Sequence, residues 1–179
     1  MAEATDKPRW GLDDAELARY PTVYRDDLLA GKVAVISGGG TGLGRAMAYL
    51  FARLGAQVLI CGRKQANLDI TAAGIKRHLG RNIATRAMTI RDPDAVAALM
   101  TECWHRFGGL DILVNNGGGQ FPQQAIDYSV KGWNAVIDTN LNGTWYMMQH
   151  AARRWRDTGR PGSIVNIVAD IWRGMPGIA

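Results

Sequence analysis

Short unbroken apolar runs alternate along this chain with longer stretches whose apolar residues return every three or four positions. Val33 to Ile36 is such a run, and from Arg45 onward Ala46, Met47, Leu50, Phe51 and Leu54 recur at helical spacing. A run without polar alternation suits a strand buried on both faces of a parallel sheet, and a repeat near 3.6 residues suits a helix with one buried stripe. Gln57 to Cys61 reads as a second strand entered through Gly55. A second helix follows from about Gln65 to Leu79, stops at Gly80 and carries Gly74 as a weak point in its middle. Ile83 to Ile90 reads as a third strand, and Asp92 with Pro93 opens a helix through Val96, Leu99, Met100 and Trp104. Leu110 to Val114 supplies a fourth strand. Gly132 to about Trp155 then predicts one long helix with Trp133, Val136, Ile137, Leu141, Trp145 and Met148 as its apolar positions, and Ser163 to Val168 is a fifth strand before a loop from Asp170 to Ala179.

This βα alternation predicts an α/β fold, a doubly wound parallel sheet of Rossmann-like form with right-handed crossovers and helices on both faces. The expected domain occupies residues 32–179. Residues 1–31 form an N-terminal extension, punctuated by Pro8 and Pro21, with a short helix from Asp13 to Tyr20 and with Trp10, Tyr20 and Tyr24 available to pack on the body or on a partner subunit.

Composition narrows the function classes. A chain of 179 residues with 47% apolar content supports one domain with a substantial core. The net charge of +5 is scattered along the chain, without an arginine-rich arm, so no nucleic-acid partner is expected. Cys61 and Cys103 form no CxxC pair, which argues against zinc or a redox dithiol; no metal site and a reduced, cytoplasmic setting are the expectation. The N-terminus is polar and acidic, unlike a secretory signal, and no apolar run reaches the ~20 residues of a membrane span. Arg153, Arg154, Arg156 and Arg160 gather at the end of the long helix, where cations offset the helix dipole.

The chemistry is concentrated where the first strand turns. Ser37, Gly38, Gly39, Gly40, Thr41, Gly42, Leu43 and Gly44 separate that strand from the first long helix. The leading N–H groups of a helix lack partners within it and carry the positive end of its dipole, and glycine lets a pyrophosphate reach them. A second glycine loop, Asn115 to Gly119, follows the fourth strand and would lie beside the first at the carboxyl ends of the strands.

Together these pieces resemble the short-chain dehydrogenase/reductase family. Ser37 to Gly44 is similar to its TGxxxGxG cofactor loop with Ser for the usual Thr, Asn115 to Gly118 to its NNAG motif with Gly for Ala, and SIVNI from Ser163 to Ile167 to the strand that leads into its active site. LVNNGGGQF from Leu113 to Phe121 looks most like the branch with peroxisomal trans-2-enoyl-CoA reductases and bacterial citronellol-type dehydrogenases. The resemblance implies cofactor contacts at Ser37, Gly38, Gly40, Thr41, Gly42, Leu43, Gly44, Asn116, Gly117 and Gly118, and a proton-relay role for Asn140. The family's catalytic serine would fall near the end of the fifth strand, where this chain has Val168 and Ala169 instead, and its Tyr-x-x-x-Lys pair would come beyond Ala179. On this basis the chain is expected to be the cofactor-binding part of a longer homo-oligomeric oxidoreductase, lacking the family's last strands. The alternative is a non-catalytic protein that binds or senses NADP(H).

A carboxylate about 20 residues past the glycine loop would favour NAD. Cys61-Gly62-Arg63-Lys64 stands there instead, so NADP is expected, with Arg63 on the 2′-phosphate and Arg45 as a second candidate. Thr89 occupies the place where the family often has an Asp near the adenine. Gln120, Asp170 and Trp172 are candidates to contact a small apolar substrate, an acyl-CoA or a terpenoid alcohol.

Overall fold

The computed structural model describes residues 11–120 and 123–169. The first helix, α1 (Asp14–Arg19), precedes β1 (Val33–Ser37), α2 (Gly42–Arg53), β2 (Gln57–Gly62), α3 (Gln65–Leu79), β3 (Ala84–Ala87), α4 (Pro93–Phe107) and β4 (Ile112–Asn115). A 3₁₀ turn (Ala125–Asp127) leads to α5 (Val130–Ile137), a π turn (Asp138–Gly143), α6 (Thr144–Thr158) and β5 (Ser163–Asn166).

The strands form one parallel sheet in the order β3-β2-β1-β4-β5. Val35 pairs with both Leu59 and Leu113, and Ile36 with both Ile60 and Val114, so the central strand is apolar at every position that is paired on both sides. Alternate side chains feed two cores. Val33, Val35, Leu59 and Leu113 pack under α4 and α6 with Leu99, Met100, Met147 and Trp155, whereas Ile36, Val58, Ile60 and Val114 pack under α1, α2 and α3 with Tyr49 and Ile75. This is the doubly wound arrangement, and its winding reverses between β1 and β4.

Local chemistry sets the element ends. Asp92 caps α4 by accepting from the N–H groups of Asp94 at 2.9 Å and Ala95 at 3.2 Å, with Pro93 behind it. The third strand is shorter than the sequence predicts: Ala84–Ala87 pairs with β2, and Met88, Thr89 and Ile90 leave the ladder to line a groove.

The long helix predicted from Gly132 to Trp155 is interrupted. The π turn at Asp138–Gly143 inserts an extra residue into the helical repeat and so rotates every later side chain by about one residue's 100°. The buried stripe of α6 is therefore Gly143, Met147, Ala151 and Trp155, while Trp133, Leu141 and Trp145 of the predicted stripe are exposed. Among the described residues no helix is long and apolar enough to cross a membrane.

Candidate functional site

Both glycine loops leave the sheet at the winding reversal and are knotted together there. Ser37 is buried, and its hydroxyl accepts from the backbone N–H groups of Asn116 at 3.0 Å and Gly117 at 2.8 Å while donating to the Val114 carbonyl at 3.4 Å. The Asn116 amide returns bonds to the carbonyls of Ser37 at 3.0 Å and Gly38 at 3.3 Å. Gly38 adopts φ +66°, and a Cβ there would stand 2.9 Å from the Asn116 amide nitrogen and 3.0 Å from Gly117 Cα. A Cβ on Gly44 would collide with the Gly38 carbonyl. Glycine at these two positions is a condition for the loops to touch.

A groove of about 500 Å³ runs outward from this knot, in the range that small-molecule ligands fill. Gly38, Gly40 and Thr41 form its floor, with Gly117, Gly118 and Gln120 along one side. Arg63, Lys64 and Asn67 stand at the end of β2 and the start of α3, Thr89 and Arg91 follow β3, and Ala135, Val136 and Thr139 face them from α5 and the π turn. Arg63, Lys64 and Arg91 are exposed cations, and among the described residues no carboxylate lines the groove.

Thr41 is the N-cap of α2 without a side-chain capping bond, and no acidic residue stands in that helix's first turn. Its leading N–H groups are thus open to an anion from the groove, and the Thr71 hydroxyl steadies the loop by donating to the Gly40 carbonyl at 3.2 Å. Uncapped donors, a glycine floor and a cationic rim together fit a dinucleotide with its pyrophosphate at α2. On the same groove, the Thr89 hydroxyl accepts from the Arg91 N–H at 3.3 Å, and Arg91 Nε donates to Thr139 at 2.5 Å.

The expected residues separate into groups. Gly38, Gly40, Thr41, Arg63, Asn116, Gly117, Gly118 and Gln120 line the groove; Gly42 and Leu43 open α2 at the surface, with the Leu43 side chain 67% exposed. Ser37 is 1% exposed and lies behind the loops, so it holds them rather than facing a ligand. Arg45 is turned away from the groove into an ion pair with Asp14, which removes it as a second 2′-phosphate contact. Asn140 lies in the π turn and clasps Gly119, its amide donating to the Gly119 carbonyl at 3.0 Å and its oxygen accepting from the Gly119 N–H at 3.0 Å. Asp170 and Trp172 lie outside the described residues.

Sequence reading missed Asn67, Arg91 and Thr139 as groove residues. Asn67 lies in the first turn of α3, but which face of α3 meets the groove depends on how that helix packs. Neither cysteine is a nucleophile: burial pushes both the Cys61 and Cys103 thiols up to about 12. Among the described residues no group of His, Cys, Asp and Glu could hold a metal ion. At the far end of α6, Arg154 donates to Thr101 at 2.7 Å, Arg156 pairs with Asp157 at 2.7 Å and Arg160 donates to the Gly108 carbonyl at 2.6 Å, so these arginines are spent within the fold.

Comparison with known proteins identifies the frame. The short chain dehydrogenase family model matches residues 32–173. A probable 2,4-dienoyl-CoA reductase of Bacillus subtilis is 38% identical over 138 residues, which is 77% of this chain and 54% of the relative. The peroxisomal 2,4-dienoyl-CoA reductase of Danio rerio is 33% identical over 164 residues, covering 90% of this chain and 54% of the relative. A citronellol catabolism dehydrogenase of Pseudomonas aeruginosa superposes with a TM-score of 0.81 at 37% identity, over 88% of this chain and 64% of that one. The chain thus spans about half the length of these curated relatives.

Proposed function

The chain belongs to the short-chain dehydrogenase family, and from that premise we propose that it is the cofactor-binding part of an NADP-dependent oxidoreductase acting on an apolar carbonyl, alcohol or enoyl-CoA-type substrate. When bound, the nicotinamide dinucleotide supplies or accepts the hydride. The chain's own residues bind and orient it: the open N–H groups of α2 take the pyrophosphate, the glycine floor admits it, and Asn116 keeps the two loops in register. Asn140 acts in this reading by fixing Gly119 at the mouth of the substrate side.

One observation carries the NADP preference. Arg63, Lys64 and Arg91 border the groove and, among the described residues, no carboxylate does, which suits a 2′-phosphate and puts cations at the end of β2 where NAD sites place an acidic acceptor. The relatives' names, reductases of dienoyl-CoA and a dehydrogenase of citronellol catabolism, support an apolar acyl or terpenoid substrate and favour turnover over sensing.

Titration calorimetry of Arg63→Ala with NADPH and NADH tests the assignment. The variant is expected to lose about 1.5–3 kcal/mol for NADPH, the range of a charged hydrogen bond, and to keep its NADH affinity. An equal loss for both cofactors would overturn it.

A further inference from the structure

Residues 11–31 are bound along α2 at both of that helix's ends. At its C-terminal end Arg53 donates to the Tyr20 carbonyl at 2.6 Å, and the Leu29 N–H donates to the Leu54 carbonyl at 2.8 Å. In its first turn Arg45 forms an ion pair with Asp14 and reaches the Leu12 carbonyl at 3.5 Å. Between these anchors α1 lays Ala18 and Leu17 into the core beside Ala48, Tyr49 and Ile75. An Asp13–Glu16 capping box holds α1 itself in shape.

The Asp14–Arg45 pair sits on a sensitive element. Arg45 is a cation in the first turn of a helix, next to the positive end of the dipole, and the helix offers no acidic residue of its own there. Among the described residues its Nε is buried without a partner, and the carboxylate of Asp14 is the charge that compensates the guanidinium. The Arg45 guanidinium also lies 5.8 Å from the Tyr49 ring centroid. Burial alone would raise Asp14, but the bond from Arg45 and the nearby Tyr49 hydroxyl outweigh it and hold the carboxyl below its ordinary value, so it is ionised wherever the chain is folded near neutrality.

We propose that residues 11–31 form a strap that sets the first turn of α2, and that Asp14, acting through Arg45, is a positioning residue for the anion-binding end of that helix. The proposal rests on the dinucleotide reading above. Its signature differs from that of Arg63, because the strap acts on the pyrophosphate end, which NADPH and NADH share.

Asp14→Ala, Arg45→Ala and the double variant separate the possibilities. Each single variant is expected to weaken NADPH and NADH by the same factor, on the order of tenfold, with the double variant no worse than either single one and Asp14→Glu recovering part of the loss. Independently of any cofactor, amide hydrogen exchange at residues 45–48, the first hydrogen-bonded amides of α2, should quicken in Asp14→Ala relative to exchange in β1 and β4. Unchanged exchange at residues 45–48 in a folded variant overturns the strap. So does a loss confined to NADPH, or affinities within twofold of the parent chain. If the parent chain binds no dinucleotide, the functional reading fails and the exchange measurement still decides the strap.

Discussion

Gly74 stands in the middle of α3, where propensity favours alanine by about 0.8–1.0 kcal/mol. The fold needs the notch: a Cβ on Gly74 would run into the Tyr49 hydroxyl and the Asp14 carboxylate, both of which lie over it. Gly74→Ala is therefore expected to destabilise the protein by about 1–3 kcal/mol in urea unfolding, the cost of overpacking, despite the better helix former. A stabilised variant would show that α1 yields easily. The weak point was legible in the sequence, but its reason was not, since Asp14 and Tyr49 reach the notch from other helices. Arg45 makes the same case from the opposite side. Its position in the glycine loop's helix suggests a phosphate ligand, and only the arrival of Asp14 from the strap takes it out of the groove. Ser37 likewise occupies a motif position, yet its hydroxyl is consumed by Asn116 and Gly117.

Among the elements, the π turn changes most. A 3.6-residue pattern carried straight through Asp138–Gly143 selects Leu141 and Trp145 for burial, whereas the extra residue brings Gly143, Met147 and Ala151 under the sheet. The same turn lifts Asn140 out of the helical ladder and onto Gly119, and places Thr139 beside Arg91. The bond that Asn140 accepts from the Gly119 N–H contributes about 0.5–1.5 kcal/mol, so Asn140→Ala should speed exchange of the Gly119 amide by roughly two- to twelvefold. Exchange at the parent rate would mean that the Ser37–Asn116 knot alone holds the second loop.

For the whole molecule, the sheet order decides the site and leaves a vulnerable edge. Among the described residues β5 lies at the edge of the sheet, with its Ile164 and Val165 about two-fifths exposed, and an apolar edge strand is a template for pairing with another chain. The 179-residue chain is expected to self-associate above its 19.5 kDa mass in light scattering as concentration rises, and Val165→Lys should reduce that association. No change in the variant would place the contact elsewhere. What the sequence determined by itself is local: strands as buried runs, helices as periodic ones, caps at Asp92 and Pro93, and glycines where the backbone must turn or touch. These follow from short-range sterics and from the period of each element, which neighbouring residues carry. The tertiary structure alone decided which loops meet, that Arg45 is spent on Asp14, that Ser37 is a tie, that Arg91 joins Arg63 and Lys64 at the groove's rim, and how far the π turn rotates α6. Those outcomes depend on residues that stand tens of positions apart in the chain and become neighbours only when the winding reverses between β1 and β4.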